Sequence, residues 1–71
     1  AIVAVNDAVF IFEFKLSGKA TAEEALQQID DRKYGAQYAV SDKKIIKVGV
    51  EFSNKERTIS RWLTKADDIK N

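Results

Sequence analysis

The 71-residue chain has no cysteine, no histidine, no proline and no methionine. Without cysteine there is no disulfide staple, no thiolate nucleophile and no zinc–thiolate centre. Without histidine the Ser-His-Asp triad and imidazole metal ligation are excluded, along with the commonest general base. With no proline and three glycines, the turns must be built from Asn, Asp, Ser and Lys. No apolar run approaches the roughly 18 residues that a membrane-spanning helix needs. The apolar start, Ala1 to Val5, lacks the basic leader and the length of a signal peptide. A cytoplasmic, reducing setting without a membrane partner is the expectation. The missing methionine reads as a start inside a longer polypeptide.

What remains is an ordinary globular balance, 45% hydrophobic and 32% charged, in a chain near the lower size limit for one core. The net charge is +1 and unevenly spread. Residues 1–42 hold four basic and seven acidic side chains, a net of −3; residues 43–71 hold eight basic and four acidic, a net of +4. One edge of the domain could therefore face an anion.

Ala1 to Val5 reads as a short strand closed by Asn6-Asp7, and Ala8 to Lys15 as a second, aromatic and β-branched strand. The two-residue connection predicts an antiparallel hairpin. Ser17-Gly18-Lys19 is a loop. Thr21 and Glu24 form a capping box for a helix from about Ala22 to Lys33, with Ala22, Ala25, Leu26 and Ile29 on one stripe. Leu26 and Ile29 are expected among its most buried residues. Gly35 to Val40 fits either a short strand or an extended crossing. Lys44 to Phe52 alternates as a strand, Arg57 to Leu63 as a last, edge strand, and residues 64–71 as a polar tail. The fold class is α/β: a mixed sheet in the order β-β-α-β-β with one helix packed on it.

The second strand carries the chemistry. A period of two puts Phe10, Phe12 and Phe14 on one face and Val9, Ile11, Glu13 and Lys15 on the other. A strand this apolar is expected to be central and covered on both sides, yet one face ends in a carboxylate beside an ammonium. Burying either charge costs several kcal/mol unless it is paired or binds a metal. An ion pair where the strand reaches solvent is one reading. A metal-dependent phosphodiesterase site is the other, with Glu13 on a divalent cation and Lys15 stabilising phosphate charge or positioning the attacking water.

At this point the sequence resembles a known family. Phe12-Glu13-Phe14-Lys15 looks like the (D/E)xK element of the PD-(D/E)XK nuclease superfamily. Together with Ala25-Leu26-Gln27-Gln28-Ile29, Tyr34, Tyr38 and Lys47-Val48-Gly49-Val50-Glu51-Phe52, it is similar to the C-terminal nuclease-like domain of bacterial AAA-ATPase-like proteins. The resemblance runs from about Ile2 to Leu63. It implies a restriction-endonuclease-like core over residues 1–63, an N-terminal ATPase-like domain in the parent chain, and Mg²⁺ or Mn²⁺ at Glu13. It also implies Lys15 as catalytic lysine and Gln28 as a helix glutamine facing the site. Tyr34 and Tyr38 would be packing or site-proximal residues. The family's first acidic ligand belongs roughly where Ala1 stands, so the metal site is expected to be incomplete, weak in cation binding and inactive in this chain by itself.

Other signals bear on partners. Lys43, Lys44 and Lys47, with Lys55, Arg57 and Arg61, form a candidate phosphate-contacting patch, although alternation sets Lys47 on the Ile45-Gly49-Glu51 face. Gly18-Lys19 is no phosphate loop, since the first glycine is absent and Ala20 replaces the hydroxyl residue. Trp62 has no aromatic neighbour at strand spacing and suits packing better than base stacking. An open sheet edge could pair two copies into a homodimer. The alternative function is a catalytically silent α/β module that binds nucleic acid or protein.

Overall fold

A computed structural model describes residues 1–32 and 43–67. Its elements are β1 (Ile2–Ala4), β2 (Ala8–Leu16), α1 (Ala22–Asp31), β3 (Lys44–Ser53) and β4 (Thr58–Asp67). The four strands form one sheet in the order β1-β2-β3-β4. Strand β2 pairs antiparallel with β1 and parallel with β3, while β3 pairs antiparallel with β4. The sheet is mixed, as the alternation of strand, helix and strand demands: two parallel strands need a crossover, and α1 lies in it.

The hairpin closes as its Asn-Asp connection predicts, with Val5 N–H donating to the Ala8 carbonyl at 2.8 Å. Thr21 caps α1 in the expected box. Its Oγ1 accepts from Glu24 N–H at 3.1 Å, and Glu24 Oε1 accepts from Thr21 N–H at 2.8 Å. The helix stops at Asp31, with Arg32 as its C-cap, two residues short of Lys33. The Gly35–Val40 segment, Tyr34 and Tyr38 lie outside the described residues.

One apolar stripe of α1 covers the sheet. Val9, Ile11, Ile29 and Ile45 make the core, and Leu26 packs against it only partly buried. Ala22 and Ala25 are the fully buried companions of Ile29, so the expectation for Leu26 fails. The reason is Gly49. A side chain there would run into the Ala22 carbonyl, the Ala25 methyl and the Leu26 side chain. The helix therefore comes very close to β3 at Ala22 and Ala25, while Leu26 reaches the same spot with its Cγ and keeps the rest of its side chain partly exposed.

Strand β4 continues through Asp67, four residues beyond Leu63, because β3 offers partners for Thr64, Lys65, Ala66 and Asp67. A register shift between Glu51 and Phe52 sets Glu51 opposite Arg61 and Phe52 opposite Ile59, skipping Ser60. Strict alternation would aim Arg61 and Ile59 the same way. The bulge sends Arg61 to the helix-covered face with Glu51 and leaves Ile59 on the opposite face.

Candidate functional site

Glu13 and Lys15 leave β2 on the same face as buried Val9 and Ile11, beneath and beside α1. Lys15 Nζ lies 3.8 Å from Glu13 Oε2, with the two side chains 24% and 18% exposed. From the helix, Gln28 Oε1 accepts a hydrogen bond from Lys15 Nζ. The three residues singled out on sequence grounds, Glu13, Lys15 and Gln28, are thus one cluster. A two-residue spacing on a strand and one position on a nearby helix suffice to build it.

A groove of about 300 Å³ opens beside this cluster, lined by Lys15, Ala20, Glu24, Gln27, Gln28 and Asp31. Its walls are carboxylates and amides around one ammonium. A second hollow, about 230 Å³, adjoins it at Ala20 and Glu24 and is bounded by the Gly18–Thr21 loop and Glu51. Gly18, at φ +85°, gives that loop its turn. Ser17 N–H then donates to the Phe52 carbonyl at 2.9 Å, tying the loop to β3.

Around the cluster lie two ion-pair networks that sequence reasoning missed. At the start of α1, Glu51 Oε2 accepts from Ala22 N–H at 2.7 Å and from Arg61 Nη1 at 3.0 Å. Arg61 also grips Glu23 with both terminal guanidinium nitrogens, Nη1 and Nη2, at 2.7 and 2.5 Å. The hydrogen bonds from Arg61 hold the Glu23 carboxyl down at about 2, and those from Glu23 and Glu51 push the Arg61 guanidinium above its usual range. At the far end of α1, Asp30 pairs with Lys47 and lies 3.9 Å from Lys65. The sequence signal was present but not decisive. Glu51 and Lys47 both fall on the helix-covered side of β3, but only the position of α1 selects their partners.

The lysines expected to share a phosphate-contacting patch are separated. Lys47 is buried under α1 and paired to Asp30, whereas Lys44 is exposed on the other side of β3. Lys43 sits half-buried just before the strand. A period of two sends Lys44 and Lys47 to opposite faces, so the three ammonium groups do not form one surface.

Magnesium takes near-octahedral oxygen ligation, usually with one or two carboxylates and substrate phosphate. Glu13 supplies one carboxylate, and its neighbour is an ammonium. Among the described residues there is no group of three or more Asp or Glu side chains that could hold a metal ion. The described residues do not by themselves fit a divalent cation. Among the described residues no helix is long and apolar enough to cross a membrane.

Comparison with known proteins gives this arrangement its family. No solved structure matches the chain. It is similar to an uncharacterized protein in the vnfD 5′ region of Azotobacter chroococcum mcd 1, 39% identical over 64 residues. That alignment covers 90% of this chain but 12% of the Azotobacter protein, so the chain spans about an eighth of the curated relative it matches. Residues 2–62 match the family model of the PD-(D/E)XK nuclease superfamily. With that match spanning both the Glu13-Phe14-Lys15 strand and the helix that faces it, the chain belongs to the PD-(D/E)XK nuclease superfamily.

Proposed function

We propose that this domain is the phosphodiester-cleaving part of a longer nuclease, with Glu13 and Lys15 at its centre and a site that this chain alone leaves incomplete. The observation that carries the reading is the Lys15 ammonium set between the Glu13 carboxylate and the Gln28 amide on the helix-covered face of β2. An ammonium held in that way is preorganised to stabilise charge developing on a phosphate oxygen, or to orient an attacking water. Gln28 and Glu13 together restrain the ammonium at the groove that Lys15 and Gln28 line.

The carboxylate that this reading still needs would fit in the ladder just ahead of Ala1. Phe12 N–H donates to the Ala1 carbonyl at 2.8 Å, so Ala1 stands opposite Phe12. A residue ahead of Ala1 in the same strand would stand opposite Glu13 and share its face. A carboxylate there would join Glu13 as the second ligand for Mg²⁺ or Mn²⁺. The resemblance adds an N-terminal ATPase-like domain to the parent chain, and exposed Lys44, with Lys43 near it, is the candidate contact to a nucleic-acid backbone.

Titration with Mn²⁺, followed by backbone amide signals, tests the site. The 71-residue chain is expected to respond at Glu13 only at high metal concentration. A chain extended by one aspartate ahead of Ala1 is expected to respond at much lower concentration, and Glu13→Gln to abolish the response in both. In the longer protein, Lys15→Ala should lower cleavage by about 10²–10³-fold while leaving metal binding in place. A metal response confined to surface carboxylates, with none at Glu13 in the extended chain, overturns the reading. It would favour a catalytically silent binding module.

A further inference from the structure

Glu51 is the Cα partner of Lys15 in the parallel β2–β3 ladder, so the two side chains leave the sheet side by side on the helix-covered face. The Glu51 side chain is only 14% exposed. Its Oε2 accepts the 2.7 Å hydrogen bond from Ala22 N–H, and Ala22 is the first residue of α1. That N–H belongs to the first turn, where the helix has no carbonyl of its own to offer. Arg61 donates to the same oxygen at 3.0 Å and ties it to Glu23 in the same turn. The first turn of α1 is thus bound to the sheet at the residue next to Lys15.

From Ala22 to Gln28 is under two turns, about 9 Å of rigid helix. Over that length a shift of the helix start is a shift of Gln28. Near the start of the helix the surface below does little to oppose sliding along the strands. Ala22 and Ala25 ride there on Gly49, three positions without long side chains to interlock, and the core residue Ile29 lies about two turns further on. A directional bond there sets the longitudinal position of the first turn, and Ala22 N–H to Glu51 Oε2 is placed to supply it. We infer that Glu51 is a positioning residue: by fixing where α1 begins, it brings the Gln28 side-chain oxygen, Oε1, to the Lys15 ammonium. The importance of that contact for hydrolysis rests on the nuclease reading above; the coupling between Glu51 and Lys15 does not.

The test therefore reads Lys15 and no reaction. The ammonium signal of Lys15 in a ¹⁵N-labelled chain is assigned by its loss in Lys15→Ala, and is followed in Glu51→Gln and Glu51→Met. Gln keeps an acceptor oxygen for Ala22 N–H; Met keeps the bulk but offers no comparable acceptor. The expected result is a Lys15 signal retained in Glu51→Gln and lost to solvent exchange in Glu51→Met, while the β2 and β3 amide signals stay in place. If Glu51→Met does not fold, Glu51→Asp, one methylene too short to reach Ala22 without a backbone shift, is expected to weaken the same signal. An unchanged Lys15 signal in the folded variant that lacks the acceptor, or in Glu51→Asp where it stands in, overturns the inference. The Asp30–Lys47 pair and apolar packing would then suffice to place α1. Loss of the signal in Glu51→Gln as well would also overturn it, since the bond to Ala22 would not be what matters.

Discussion

Gly49 and Glu23 show how unequal two single residues can be in this fold. Gly49 sits where α1 presses on β3, and a methyl group there meets a backbone carbonyl that cannot swing aside. Gly49→Ala is therefore expected to destabilise the chain by about 1–3 kcal/mol through overpacking, measurable as a lower midpoint in urea. The Glu23–Arg61 pair is the opposite case. Its bonds are short, but both groups are exposed, and solvent screens such pairs heavily. Because the folded Glu23 carboxyl is lowered from 4.5 to about 2, its contribution is present above about pH 4.5 and lost as pH falls towards 2. Stability measured across that window should decline less steeply in Glu23→Gln. High salt should shrink the difference between the two chains.

Helix α1 is the element on which both the core and the site depend. Its capping box and its apolar stripe are local patterns, and both are legible at Thr21, Glu24, Ala25 and Ile29 without any knowledge of the sheet. What the stripe does not reveal is which of its members faces the closest approach. Fully buried Ile29 belongs to the core with Val9, Ile11 and Ile45, whereas Leu26 packs beside Gly49 and stays partly exposed. Ile29→Ala is accordingly expected to cost about 2–5 kcal/mol, with Leu26→Ala measurably milder, when both are compared by thermal or urea unfolding. Equal losses at the two positions would mean that α1 is seated differently. The site follows the same division. That Glu13 and Lys15 share a face is a consequence of strand period. That Gln28 meets them depends on where α1 starts along the sheet.

At the scale of the whole molecule, only one face of the sheet is covered among the described residues. Phe10, Phe12 and Phe14 stack along the other face, with ring centroids 6.4 and 6.2 Å apart. The register continues the last of these across the sheet as Phe14, Val50 and Trp62. Val50 is buried, but Phe14 and Trp62 are more than half exposed, and Leu16 and Ile59 nearly so. Patches of this kind exceed what isolated surface hydrophobes explain. A fluorescent apolar dye is expected to bind the folded 71-residue chain, and Phe14→Ser or Trp62→Ser to reduce its signal without a comparable loss of helix. Dye binding unaffected by either change would place the accessible apolar surface elsewhere.

Local sequence was enough to determine the hairpin, the cap of α1, the alternation of β2 and β3, and hence the strand face on which a carboxylate and an ammonium stand two residues apart. These follow from backbone geometry over a few residues, where period and turn chemistry decide. The tertiary structure decided the rest. The parallel register set Glu51 beside Lys15, the seat over Gly49 chose Ile29 above Leu26, the bulge at Ser60 parted Arg61 from Ile59, and the partners on β3 carried β4 through Asp67. Each depends on how far one element slides along another, and many distant contacts share in setting that distance, so no short stretch of chain encodes it.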